Sequence, residues 1–232
     1  MIKLPKHNLS VCQSLSPFEN RIHAGNLLAP ELSDLLERKP ELSNAVVMGV
    51  PRGGVMVAAQ VARHLNLPLD IMVTGKVLAP GRSDIVIGAV TERGRVFINR
   101  PLVTALGLDD GTVHDEVEEV KATIKETAAD YRTTIPRSVL SEKTVIIIDD
   151  NVVTGATMFA TLRGLWAERP ASIVLALPVA PASTLAALAD FADEVIALQA
   201  PDSLDDGIEA YYSNMEDITQ DKVLEILQNI AV

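Results

Sequence analysis

Residues Thr144 to Met158 read TVIIIDDNVVTGATM, and the fold follows from this stretch. Four consecutive apolar β-branched residues, Val145 to Ile148, flanked by polar ones, have the pattern of a short strand buried on both faces inside a parallel sheet. Asp149 and Asp150 then stand at its carboxyl edge, and Gly155-Ala156-Thr157 opens a helical run that extends through Arg169. In an open α/β sheet the ligand crevice lies beyond the carboxyl ends of the strands, and a helix N-terminus presents unpaired N–H groups to an anion. Thr154 and Thr157 add hydroxyl donors. The unit holds two carboxylates about a loop's width from a phosphate cradle. That suits a ligand with vicinal hydroxyls at one end and a phosphate at the other, such as a sugar phosphate.

Composition narrows the rest. A chain of 232 residues accommodates one large α/β domain, or a domain with an appendage. Hydrophobic residues make up 48% but aromatic ones only 3%, so Val, Ile, Leu and Ala do the packing, as in buried parallel strands and Ala-rich helices. A net charge of −11 argues against nucleic-acid or membrane-surface partners, which need a basic footprint, so an anionic substrate must meet locally placed Arg and Lys. Cys12 is the one cysteine, which excludes an intramolecular disulfide, and MIKLPKHNLS lacks the apolar run of a signal peptide. A reducing, cytoplasmic setting is expected. The apolar stretch from Ser172 to Ala192 is divided by Pro178, Pro181 and Ser183-Thr184 into strand, loop and helix, which removes it as a membrane span.

In chain order, Ser16 to Arg21 precedes a helical pattern with Ile22, Leu27, Leu28, Leu32, Leu35 and Leu36 on a broad apolar side, ending near Lys39-Pro40. A strand from Ala45 to Val50 runs into Pro51-Arg52-Gly53-Gly54 and a helix from about Val55 to Leu65. Glycine admits close backbone approach to a ligand and Arg52 supplies a fork for phosphate oxygens, although a tight Gly crossover by itself is common. A strand from Leu69 to Thr74 is expected to reach Gly75-Lys76, followed by VLAPGRSD, which lacks periodicity and reads as a mobile loop. Ile85 to Val90 and Arg95 to Ile98 form a predicted hairpin around Thr91-Glu92-Arg93-Gly94. From Val113 the spacing of Val117, Val120, Ile124, Ala128 and Tyr131 predicts an amphipathic helix whose charges face solvent. Further βα units follow: strands at Ile173 to Leu177 and Glu194 to Leu198, a helix near Thr184 to Phe191, and a last helix near Gln220 to Ile230. Packing is the expected role of Tyr211 and Tyr212.

TVIIIDDNVVTGATM resembles the signature of the type I phosphoribosyltransferases: aliphatic residues, two acids, a few small or aliphatic residues, then Thr-Gly and a hydroxyl residue. VIIIDDN also looks like the first strand of a receiver domain, but that doubly wound plan needs roughly another hundred residues, more than follow Asp150. FENRIHAGNLLAPEL, GVPRGGVMVAAQVA, IVIGAV and LPVAP extend the resemblance across nearly the whole chain, to a bacterial subgroup usually called predicted phosphoribosyltransferases. The fold implied is α/β, an open, mainly parallel twisted sheet flanked by helices, with a hairpin, a flexible loop and a helical insertion. One domain over residues 1–232 is implied, its core at about 42–200, with the N-terminal helix and C-terminal tail as a hood.

By that resemblance, Asp149 and Asp150 hold the ribose hydroxyls of phosphoribosyl diphosphate (PRPP), and Thr154, Gly155, Ala156 and Thr157 hold its 5′-phosphate. GVPRGG resembles the diphosphate loop, with the amides of Arg52, Gly53 and Gly54 on the leaving group. Lys76 matches the lysine at the base of a closing loop and is a catalytic candidate with Asp149 and Asp150. The resemblance further implies a Mg²⁺ cofactor met indirectly by Asp149 and Asp150, a small nitrogenous base as acceptor, and a homodimer. Asn151 stands where this subgroup commonly has Gly. Val153 stands where 6-oxopurine transferases carry an Asp, which implies that hypoxanthine and guanine are poor acceptors. Two other activities fit the same scaffold: a PRPP- or nucleotide-binding regulator without turnover, and a sugar-diphosphate hydrolase.

Overall fold

The computed structural model of the chain describes residues 2–3, 8–12, 17–205 and 207–230. In chain order these form β1 (Ile2–Lys3), β2 (Leu9–Val11), α1 (Arg21–Arg38), β3 (Ala45–Gly49), α2 (Gly53–Leu65), β4 (Leu69–Ile71), β5 (Thr74–Ala79), β6 (Arg82–Thr91) and β7 (Val96–Ile98). They continue with α3 (Arg100–Ala105), α4 (Asp110–Arg132), β8 (Thr144–Ile148), α5 (Ala156–Trp166), β9 (Ser172–Val179), α6 (Ala182–Leu188), β10 (Glu194–Gln199) and α7 (Gln220–Gln228). Among the described residues, no helix is long and apolar enough to cross a membrane.

The main sheet has seven strands in the order β1-β2-β10-β9-β8-β3-β4, parallel throughout except for the β1–β2 pair. Strand β8 lies inside it, paired with β3 from Ala45↔Thr144 to Gly49↔Ile148 and with β9 from Thr144↔Ser172. All five of its residues are buried, and their alternation feeds two cores. Ile146 and Ile148 pack with the buried residues of α1 and α2, while Val145 and Ile147 pack with Met158, Leu162 and Leu165 of α5 and with α6. This two-sided burial is why the strand reads as an unbroken apolar run. Helix α1 starts where expected: the Asn20 side chain accepts from the His23 amide at 2.9 Å. Its apolar side is narrower than the spacing suggested, since Leu28, Leu32 and Leu35 are buried but Ile22 and Leu27 are exposed. Ser16, which opens the expected cap sequence, lies outside the described residues.

Two expectations need correction. The stretch from Leu69 to Thr74 is not one strand: β4 ends at Ile71, and the chain leaves the main sheet before starting β5 at Thr74. VLAPGRSD is not an irregular loop but the turn of a hairpin, in which β5 pairs antiparallel with β6, and β7 completes a second, three-stranded sheet. Val77 and Ala79 are buried, as a strand with one covered face requires. Register shifts at Val77/Leu78 and Leu78/Ala79 interrupt the alternation, and this irregularity hides the strand from a periodicity reading. Helix α5 also stops short, at Trp166, and Arg169 takes a left-handed φ of 56°.

Helix α4 buries Val113, Val117, Ile124, Ala128 and Tyr131, as its spacing predicts. Its last residue departs from the solvated-face expectation. Arg132 Nη1 donates to Asp70 Oδ1 at 2.7 Å, and Nη2 and Nε donate to Glu92 at 2.6 and 2.9 Å. The Asp70 and Glu92 side chains are 0% exposed. Arg132 thus ties β4, the turn after β6 and the end of α4 together.

Arg93 and Arg137 stand 3.8 and 3.3 Å from the same two acids, so removing Arg132 leaves both buried carboxylates only partly compensated. Arg132→Leu is expected to lower the unfolding free energy by roughly 3 to 5 kcal/mol, read from urea melts. A loss below about 1 kcal/mol would place the pair among the weak surface ion pairs instead.

Candidate active site

Strand β8 delivers Asp149 and Asp150 to the carboxyl edge of the sheet, and the structure gives them different surroundings. Asp149 is partly buried and lines a cavity of about 310 Å³. That cavity also receives Pro51 from the loop after β3, Lys76 from β5, and Thr154, Gly155, Ala156 and Thr157 from the start of α5. Residues distant in sequence thus converge, and of the expected ligand-holding set Lys76, Asp149 and residues 154–157 share one space. Lys76 is exposed, and none of the ion pairs among the described residues involves it.

The 5′-phosphate candidate is an uncapped helix end. Gly155 is the N-cap of α5 at φ 78°, with no side chain hydrogen-bonded over the first amides. The first turn of a helix leaves its N–H groups without intrahelical partners, and the aligned peptide dipoles add positive potential there. Glycine is suited to this left-handed position. The approach to it is held from outside: Thr184 Oγ1 donates to the Val153 carbonyl at 2.9 Å, and the Val152 amide donates to the Val179 carbonyl at 3.3 Å. An anion placed here meets preset donors.

Asp150 lies outside the cavity lining. Its Oδ2 accepts from Arg21 Nε at 2.6 Å, its Oδ1 accepts from Asn151 Nδ2 at 3.2 Å, and its carbonyl accepts from Tyr212 Oη at 2.6 Å. The loop Pro51-Arg52-Gly53-Gly54, whose Pro51–Arg52 peptide is cis, packs directly on both acids. A Cβ at Gly53 would lie 2.1 Å from Asp150 Oδ2, and one at Gly54 would lie 2.8 Å from Asp149 Cα and from the Ile148 carbonyl. The glycines are therefore required for contact between the two loops. Of this loop only Pro51 reaches the cavity wall, and Arg52 is exposed beside it.

Burial, reinforced by the neighbouring Asp150 carboxylate, pushes the Asp149 carboxyl well above its usual range. Burial likewise raises the Tyr212 hydroxyl, which keeps it a neutral donor. Two residues of this constellation, Arg21 and Tyr212, are not marked as site residues by any local pattern, because long-range contacts bring them in. Tyr212 does pack as expected, with its ring centroid 5.2 Å from that of Phe18, but it also holds the acidic edge.

Comparisons with known proteins bear on the family and the fold of the chain. The family model described as Phosphoribosyl transferase domain matches residues 20–203. A Mycobacterium tuberculosis protein that carries the name "Putative phosphoribosyl transferase" is 32% identical over 210 residues, which is 90% of this chain and 46% of that protein. The chain therefore spans about half the length of this relative. The crystal structure of TT1426 from Thermus thermophilus superimposes with a TM-score of 0.81 at 34% identity, covering 92% of this chain and 99% of that one.

The raised Asp149 carboxyl makes a pH prediction whose sign is fixed. The folded form holds a proton that the unfolded chain releases near the ordinary value of 3.8, so this group's contribution to stability declines as pH rises above that value, until the folded carboxyl ionises. Asp149→Asn removes that dependence. The variant is expected to gain stability relative to wild type at neutral pH while showing little difference at pH values below the ordinary carboxyl range. Thermal melts across pH check it, and a parallel loss for Asp149→Asn at every pH contradicts it.

Proposed function

The chain belongs to the phosphoribosyl transferase domain family, and from that premise we propose that it transfers ribose 5-phosphate from PRPP to a nitrogenous base with release of diphosphate. The observation that carries the reading is the cavity walled together by the Asp149 carboxyl group, an uncapped helix N-terminus at Gly155 and the ammonium-bearing Lys76. Hydroxyl acceptor, phosphate donors and a cation for a leaving group are the groups that such a substrate requires.

In the reaction, the bond from C1 to the diphosphate oxygen breaks with its electron pair, a bond from the acceptor nitrogen to C1 forms, and the acceptor gives up a proton. Positive charge grows on the sugar ring and negative charge on the departing diphosphate. Residues 154–157 anchor the 5′-phosphate, Asp149 orients the ribose hydroxyls, and Lys76 offers charge where the leaving group develops it. The Pro51–Gly54 loop borders the same space and supports the diphosphate side. No covalent nucleophile is called for, and Cys12, whose thiol burial pushes up to about 12, is not poised for one.

Magnesium fits as an ion carried largely by the substrate. Among the described residues no group of three or more His, Cys, Asp or Glu is placed to hold a metal ion, whereas one or two carboxylates beside phosphate oxygens suffice for Mg²⁺. Bound there, it would neutralise diphosphate charge. Asp149, in the cavity wall, would be the protein's contribution once ionised, with Asp150 behind it. Val153 is 50% exposed at this cavity and offers a purine only an apolar contact, in keeping with the expectation that hypoxanthine and guanine are poor acceptors.

PRPP with Mg²⁺ is expected to stabilise the folded chain by about 2.7 kcal/mol at a hundredfold excess over its Kd. That corresponds to a melting shift of roughly 5 to 10 °C for a protein of this size. In a panel of bases, diphosphate release that requires one base identifies the transferase. Base-independent release marks a sugar-diphosphate hydrolase, and stabilisation without release marks a PRPP-binding regulator. An unmoved midpoint at millimolar PRPP contradicts all of these readings.

A further inference from the structure

Arg21 is the first residue of α1, far in sequence from the acidic edge, yet its side chain is 11% exposed against an Asp150 side chain at 10%. The contact is specific in direction. Nε donates to Asp150 Oδ2 at 2.6 Å, while Nη1 of the same guanidinium donates to the Glu216 carbonyl at 2.7 Å. Around it, the segments before α1 and after β10 are laced together: the Phe18 amide donates to the Tyr211 carbonyl, and the Ser213 and Asn214 amides donate to the Phe18 and Glu19 carbonyls. Tyr212 from that same segment holds the Asp150 carbonyl. The third neighbour is the glycine loop, since a Cβ at Gly53 would come within 2.7 Å of Arg21 Nε as well as 2.1 Å of Asp150 Oδ2.

We propose that Arg21 is a positioning residue of the sugar-phosphate site, fixing the Asp150 carboxylate in one rotamer and thereby setting the glycine loop and the loop to α5 that flank the cavity. The proposal rests on the phosphoribosyl reading of the site. A buried ion pair is a poor way to gain stability alone, because desolvation offsets most of its attraction. A guanidinium that spans a carboxylate and a distant carbonyl instead fixes geometry, because its donors lie in a rigid fork. Asp150 then needs no contact with the ligand to matter. Its carboxylate packs on the glycine loop and is linked to residues 211–216 through Arg21, so disturbing Arg21 loosens the support behind Pro51 and Asp149 in the cavity wall.

Titration calorimetry of PRPP with Mg²⁺ into the full chain tests this with Arg21→Gln, Arg21→Lys and Arg93→Gln, each first checked for folding by circular dichroism. Arg93 is a control of matched burial, 12% exposed in its own ion pairs with Asp70 and Glu168. Arg21→Gln is expected to raise Kd about tenfold or more, equivalent to about 1.4 kcal/mol. Arg21→Lys, which keeps the charge but not the fork, is expected to fall between it and wild type, and Arg93→Gln to bind as wild type does. Equal affinity in wild type and Arg21→Gln overturns the proposal, as does an equal loss in Arg93→Gln. If Arg21→Gln does not fold, Arg21→Lys carries the test, and a wild-type Kd counts against the proposal. A wild type that does not bind PRPP overturns the underlying reading, and the proposal with it.

Discussion

Two adjacent carboxylates at the end of a buried strand repel each other and resist leaving water, and much of the long-range structure answers that constraint. Asp150 is neutralised by Arg21 and pinned by Tyr212 through its carbonyl. Asp149 is left to the cavity, where burial and its neighbour favour the protonated form. The pair is thus asymmetric, one acid serving the scaffold and the other facing the space a ligand would fill. The glycines at 53 and 54 belong to the same solution, since any side chain there would force the two loops apart.

The sheet places this edge and the second sheet partly encloses it. Parallel strands β3 and β8, in matched register, bring the glycine loop and the acidic edge side by side, as strand ends in an open α/β sheet do. Strand β5 carries Lys76 to the same cavity, and the charges gathered on Arg132 hold β4 and the turn after β6 against α4. A buried network of this kind contributes position more than net stability.

The central strand, the start of helix α5 and helix α4 are legible in the sequence because each is specified locally: an apolar run that ends in acids, a Gly at a helix start, a three-and-four spacing. The hairpin at 74–91 is half legible. Ile85 to Val90 reads as a strand, but the register shifts near Leu78 break the period on its partner, so periodicity alone makes that partner a loop. Arg21 and Tyr212 are not legible as site residues, because their pairing with Asp150 spans 129 and 62 positions and no periodicity encodes it. Arg132 misleads for the opposite reason: in a helix crowded with solvated charges, nothing local separates the one that turns inward.

The central claim is that the loop from Thr154 to Thr157 is the phosphate anchor of a sugar-phosphate site at the end of β8. Amide chemical shifts recorded while ribose 5-phosphate is added to the isotope-labelled chain test it most directly. The account predicts saturable shifts at the amides of residues 155–157, with a companion change at Asp149 and weaker effects across the glycine loop. Saturable shifts clustered elsewhere, with residues 154–157 unmoved, would contradict it.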